Sequence, residues 1–107
     1  MRLIICYKEG VEEKVFLTMK SASKYVGVNK YDLDKSIKTG LPIDGIYTYY
    51  QNKNSYRILY MNNRTGQNGI YRQIHVLASV TNIPVSKILE MIDEGTEYKG
   101  YTFDINF

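Results

Sequence analysis

Lys20, Lys24, Lys30, Lys35 and Lys38 fall close together in the first half of the chain, with Asn29 among them. Ammonium groups at such positions can neutralise phosphates, and an amide such as Asn29, or the neighbouring Lys30, can reach base edges. Asp32 and Asp34 interrupt the run, so a solvated helix face of mixed charge is the competing reading. Glu90, Asp93 and Glu94 form an opposite set near the end of the chain, able to imitate phosphates towards a basic groove. Tyrosines gather at Tyr47, Tyr49, Tyr50, Tyr56, Tyr60 and Tyr71. In alternating strands they cover a sheet with hydroxyls outward, and they also suit the core of a protein interface. Base stacking is the third use open to them.

Few other residues suggest chemistry. His75 is the only histidine and Cys6 the only cysteine, which excludes a multi-cysteine or histidine-rich zinc site and any disulfide framework. His75 is expected on an exposed turn without a nucleophile or ligand set, and Cys6 in a strand as a small buried hydrophobe. Glu9, Glu12 and Glu13 cluster at a hairpin tip, where solvation suits them better than acid–base work. There is no phosphate-cradling loop, nucleophile motif or metal spacing. The sequence therefore predicts a non-enzyme with no catalytic residues, no metal and no cofactor.

The chain's 107 residues, 44% of them hydrophobic, suffice for a real core. No apolar run is long enough to cross a membrane, and no signal-peptide pattern follows Met1, so an intracellular location is expected. The abundance of Lys, Asn, Ile and Tyr hints at an AT-rich bacterial or phage gene and hence at the cytoplasm of a bacterial host. The net charge is a mild +3. Residues 1–55 hold nine Lys and Arg against six Asp and Glu, and residues 56–107 hold five against five. The first half carries the whole excess.

The elements that must position these residues come in two matching runs. Sliding the chain by 55 places Arg2-Leu3-Ile4 on Arg57-Ile58-Leu59, Val15-Phe16 on Ile70-Tyr71, Leu33 on Ile88, Gly40 on Gly95 and Gly45 on Gly100. We read the chain as α+β, with two tandem repeats at 1–52 and 56–107 packed as one compact unit. Each repeat is a β-hairpin, a helix-turn-helix and a closing strand. The hairpins are expected over residues 2–8 with 15–17, and 57–61 with 70–71. A short helix over 19–26 ends at Gly27, and Asn29 caps the next, with Asp32 three residues on. Leu33 and Ile37 face inward. In the second run Pro84 occupies a first turn, and Val85, Ile88, Leu89 and Ile92 form the apolar stripe. Gly40 and Gly95 stand where a helix end needs a left-handed residue. Closing strands follow over 46–50 and 101–105.

Thr18-Met-Lys-Ser-Ala22-Ser-Lys-Tyr-Val-Gly27-Val28, then Leu33, Ser36-Ile37-Lys38-Thr39-Gly40 and Gly45-Ile-Tyr47, resembles the nuclease-associated modular domains (NUMOD) that accompany phage and intron homing endonucleases. Gln73-Ile74-His75-Val76-Leu77-Ala78, with Asn82-Ile83, Ile92, Gly95 and Gly100-Tyr101-Thr102-Phe103, is similar to a second, weaker copy. The chain departs from that pattern at Ser21 and Val76, where an early acid is common, and in lacking a closing tryptophan, with Tyr49 and Phe103 nearby. The resemblance implies duplex DNA binding through the second helix of the unit.

The leading expectation is a small phage-type DNA-binding module using Lys20, Lys24, Asn29, Lys30, Lys35 and Lys38. The alternative is a phage counter-defence inhibitor, similar to an anti-CRISPR, that binds a host nuclease or CRISPR effector protein through Tyr47, Tyr49, Tyr56, Glu90, Asp93 and Glu94. A third reading is a regulator that binds its own operator as a homodimer.

Overall fold

Strand β1 (Arg2–Tyr7) is apolar at four successive positions, and all four are buried: Leu3, Ile4, Ile5 and Cys6. Such a run reads as a central strand buried on both faces. In the computed structural model, which describes all of residues 1–107, β1 lies between β2 (Lys14–Phe16) and β3 (Tyr47–Asn52), both antiparallel to it. Helices α1 (Met19–Val26) and α2 (Lys30–Thr39) come between β2 and β3 in the chain. Ile4 and Cys6 pack with Ala22, Val26 and Leu33, and Phe16, Met19, Val28, Ile37, Ile43, Ile46 and Tyr50 close round them.

The remaining chain runs through β4 (Arg57–Asn62), β5 (Asn68–Tyr71), α3 (Ile74–Thr81), α4 (Val85–Glu94) and β6 (Tyr101–Asn106). Here β4 is central, between β5 and β6, again antiparallel. The molecule is thus α+β, with four helices and two three-stranded antiparallel sheets, and it divides into two compact units, Met1–Asn52 and Lys53–Phe107. The buried apolar residues of the second unit are Ile58, Ile74, Leu77, Ile83, Ile88, Met91 and Phe103.

Local chemistry sets the helix ends. Thr18 Oγ1 accepts from the Ser21 amide at the start of α1, and Gly27 ends that helix at φ 85°. Asn29 Oδ1 accepts from the Asp32 amide at 2.8 Å to start α2. Gly40 ends α2 at φ 72°, and Gly95 ends α4 at φ 64°, both left-handed as their spacing predicts. Asn82, whose short amide side chain tolerates this region, ends α3 at φ 58°. After α2, Ile43 and Ile46 exchange backbone hydrogen bonds across Asp44 and Gly45, both at positive φ. Tyr98 and Tyr101 do the same across Lys99 and Gly100. Two consecutive left-handed residues make the tight turn whose twist matches antiparallel strands.

Four expectations need correction. Pro84 is the residue before α4 rather than within its first turn, since its ψ of 146° is extended. The fully buried residues of α4 are Ile88 and Met91, whereas Val85, Leu89 and Ile92 are only half-buried. His75 lies in the first turn of α3, exposed, rather than on a turn between elements. The gapless shift of 55 also fails in the first strand. Ile4 pairs with Phe16 and Tyr50, and the residue that pairs with Tyr71 and Ile105 is Ile58, not Leu59. Ile4 to Phe16 is twelve positions and Ile58 to Tyr71 thirteen, so the second hairpin is one residue longer. In a strand, a one-residue slip exchanges the faces. Tyr60, not Met61, therefore takes the place of Cys6, and Gly69 opposite leaves room for its ring, since a Cβ there would lie 2.7 Å from Tyr60.

Beyond the adjoining chain, nothing lies within 4 Å of where a Cβ would stand at Gly40 or Gly95. The cost of Gly40→Val or Gly95→Val is therefore conformational, and each is expected to lower stability by about 1 kcal/mol or more, read as a shifted urea midpoint at unchanged slope.

Candidate nucleic-acid interface

Helix α2 turns Leu33, Ser36 and Ile37 inward, with Ser36 buried because its Oγ donates to the Leu41 carbonyl at 2.6 Å. That bond ties the helix to the segment after it. The helical period then sends Tyr31, Asp34, Lys35 and Lys38 outward, with Lys30 on the flank.

The six residues expected to meet nucleic acid are not equivalent. Lys24, Lys30 and Lys35 are exposed, and no ion pair engages them. Lys38 Nζ is held by Asp34 Oδ2 at 2.8 Å, four residues back along the helix. The hydrogen bond to Asp34, with the attraction between the charges, raises the Lys38 pKa. Lys20 is exposed but already has a partner. Asn29 spends its carbonyl oxygen on the start of α2, so its first role is to fix the helix that carries the lysines. The open charge of the first unit's helices is therefore Lys24, Lys30 and Lys35.

A residue outside the expected set stands among them. Tyr31, the second residue of α2, is 74% exposed, more than any other large apolar or aromatic side chain. The four-residue spacing to Lys35 was visible in the sequence, but only the inward turn of Leu33 reveals that both point outward. Beside this face, Val28, Asp32, Lys35, Ser36, Thr39, Leu41, Pro42 and Ile43 line an open hollow of about 280 Å³.

The residues expected to meet a protein divide between the units. Tyr47 and Tyr49 share one face of β3, and Tyr7 of β1 pairs with Tyr47; all three are exposed. The Tyr49 hydroxyl donates to Glu13 Oε2 at 3.2 Å, and partial burial followed by the Glu13 charge raises its pKa. Tyr56 is half-buried, just before β4. Glu90 and Asp93 are half-buried and already partnered, Glu90 lying 3.8 Å from Lys87, and Glu94 is exposed. On α4, Glu90 and Asp93 occupy the places that Lys35 and Lys38 hold on α2, so corresponding faces carry opposite charge.

No protein-family model, curated protein or solved structure matches the chain. No helix is long and apolar enough to cross a membrane, and no group of three or more His, Cys, Asp or Glu is placed to hold a metal ion. Cys6 is buried against Thr48 Oγ1 at 3.8 Å, and burial raises its pKa above the ordinary 9.0 in spite of that contact.

Two outcomes follow. Asn29→Ala removes the side-chain cap of α2 and is expected to cost about 1 kcal/mol in chemical denaturation. The Cys6 thiol keeps its proton longer in the folded chain than in the unfolded one. Its contribution to stability is thus complete below pH 9.0 and is lost as pH rises through the higher folded value. Near neutrality, a thiol reagent should label it only as fast as the chain opens.

Proposed function

We propose that the first unit is a NUMOD-like DNA-binding module, and that the chain arose as two tandem ββααβ copies of which the second has lost that role. The observation that carries the reading is the outward face of α2, with Lys30 and Lys35 exposed and Lys24 exposed on the preceding helix. Two short helices joined at a left-handed Gly27 have the form of a helix-turn-helix, in which the second helix enters the major groove and the first crosses the backbone. Support for the tandem origin comes from corresponding left-handed positions: Gly27 with Asn82, Asp44-Gly45 with Lys99-Gly100, and Gly40 with Gly95. The central-strand sheet order also recurs. The acidic α4 faces phosphate badly. In this reading the protein works without catalysis or cofactor, in the cytoplasm of a bacterial host.

One observation favours a second reading, a counter-defence inhibitor of a host nuclease or CRISPR effector. Tyr7, Tyr47 and Tyr49 stand exposed on the sheet face of the first unit whose other members, Leu3 and Ile5, are buried. Its proposed acidic half is weaker, because Glu90 and Asp93 already have partners.

Titration with a random-sequence duplex at two salt concentrations tests the DNA reading. Three open lysines set a log–log salt slope of about −2.7. Lys30→Glu with Lys35→Glu should abolish binding, and Lys87→Glu should change little. No binding at either salt, or tight binding that ignores the two reversals, overturns the reading. A host nuclease captured by the wild type and lost with Tyr47→Ala and Tyr49→Ala would establish the alternative.

A further inference from the structure

We infer that Tyr31 is the side chain with which α2 reads bases, its ring lying against thymine methyl groups in the major groove; this rests on the DNA-binding reading above. Tyr31 is 74% exposed, and neither its ring nor its hydroxyl has a partner in the protein. Packing therefore does not account for it. Helix propensity does not either, because an exposed helical position is better served by Ala, Lys or Glu than by an aromatic ring.

Its position is informative. Tyr31 is the second residue of α2, immediately after the Asn29 cap, and the amino-terminal residues of the second helix are those that reach base edges in this geometry. Lys30 flanks it in sequence, and Lys35 follows it one turn later on the same face. Ammonium groups on either side of an apolar ring suit a duplex groove, where phosphates lie at the walls and base edges at the floor. An apolar surface reads thymine there through its C5-methyl group. The corresponding residue of α4 is Ser86, so the unit with the acidic face also lacks the ring.

The test uses two synthetic duplexes of alternating sequence, one of adenine and thymine, the other with uracil replacing thymine, which deletes only the methyl groups. At low salt the intact protein is expected to bind the thymine duplex about fourfold more tightly, the effect of removing roughly one methyl from water. Tyr31→Ala should bind both duplexes alike while keeping the wild-type salt slope, and Tyr31→Phe should keep the thymine preference. Equal binding of both duplexes by the wild type, or a preference that survives Tyr31→Ala, overturns the inference and leaves the lysine contacts standing. If the wild type binds neither duplex, the DNA-binding reading fails, and this inference fails with it.

Discussion

The constraint on which each unit depends is that its second helix must stop and reverse within a few residues. In the first unit the chain leaves α2 at Gly40, turns tightly at Asp44 and Gly45, and enters β3 beside β1. Without the left-handed stop the helix would run on, and β1 would lose its six-residue pairing with β3. Ser36 reinforces the stop with its side chain, since its hydroxyl holds the Leu41 carbonyl just beyond the helix end. Because the strand is fixed from one side and the Asn29 cap from the other, the roll of α2 is determined. Leu33 goes in, and Tyr31 and Lys35 go out.

The first unit's helices were legible because their signals are short-range, whereas α3 and α4 start without a side-chain cap. Caps, left-handed glycines and a helical stripe are all written within a few residues of the feature that they produce. Strand register is not. A stretch such as Arg57–Met61 is apolar enough to be a strand in either facing, and which facing is adopted depends on partners at Tyr71 and Ile105. The sequence alignment therefore sets Leu59 against Ile4, whereas the register makes Ile58 its counterpart. The burial of Met91 has no sequence signal for a related reason: its counterpart is Ser36, a polar residue whose burial depends on a carbonyl five residues away.

The candidate site was legible in kind but not in detail. The cluster of lysines can be seen in the sequence, yet charge alone does not say which ammonium groups are open. Asp34 claims Lys38, and the amide that looks most suited to a base, Asn29, is at work on its own helix. On the tyrosine side, alternation along β3 placed Tyr47 and Tyr49 together, and the antiparallel register added Tyr7, a residue forty positions earlier that no local pattern connects to them.

The extra residue in the second hairpin bears on how such a gene changes. On the tandem reading proposed above, two similar stretches in one reading frame invite unequal crossing-over, which trades a piece of one for the matching piece of the other. Between β1 and β2 a breakpoint must respect two spacings, Ile4 to Phe16 at twelve positions and Ile58 to Tyr71 at thirteen, and a join one residue out puts the strands out of step. The recombinant strand would then present its core side chains to the opposite face. Breakpoints after β2 leave each hairpin whole and meet differences of side chain alone, such as Met91 where the first unit has Ser36 and Tyr60 where it has Cys6.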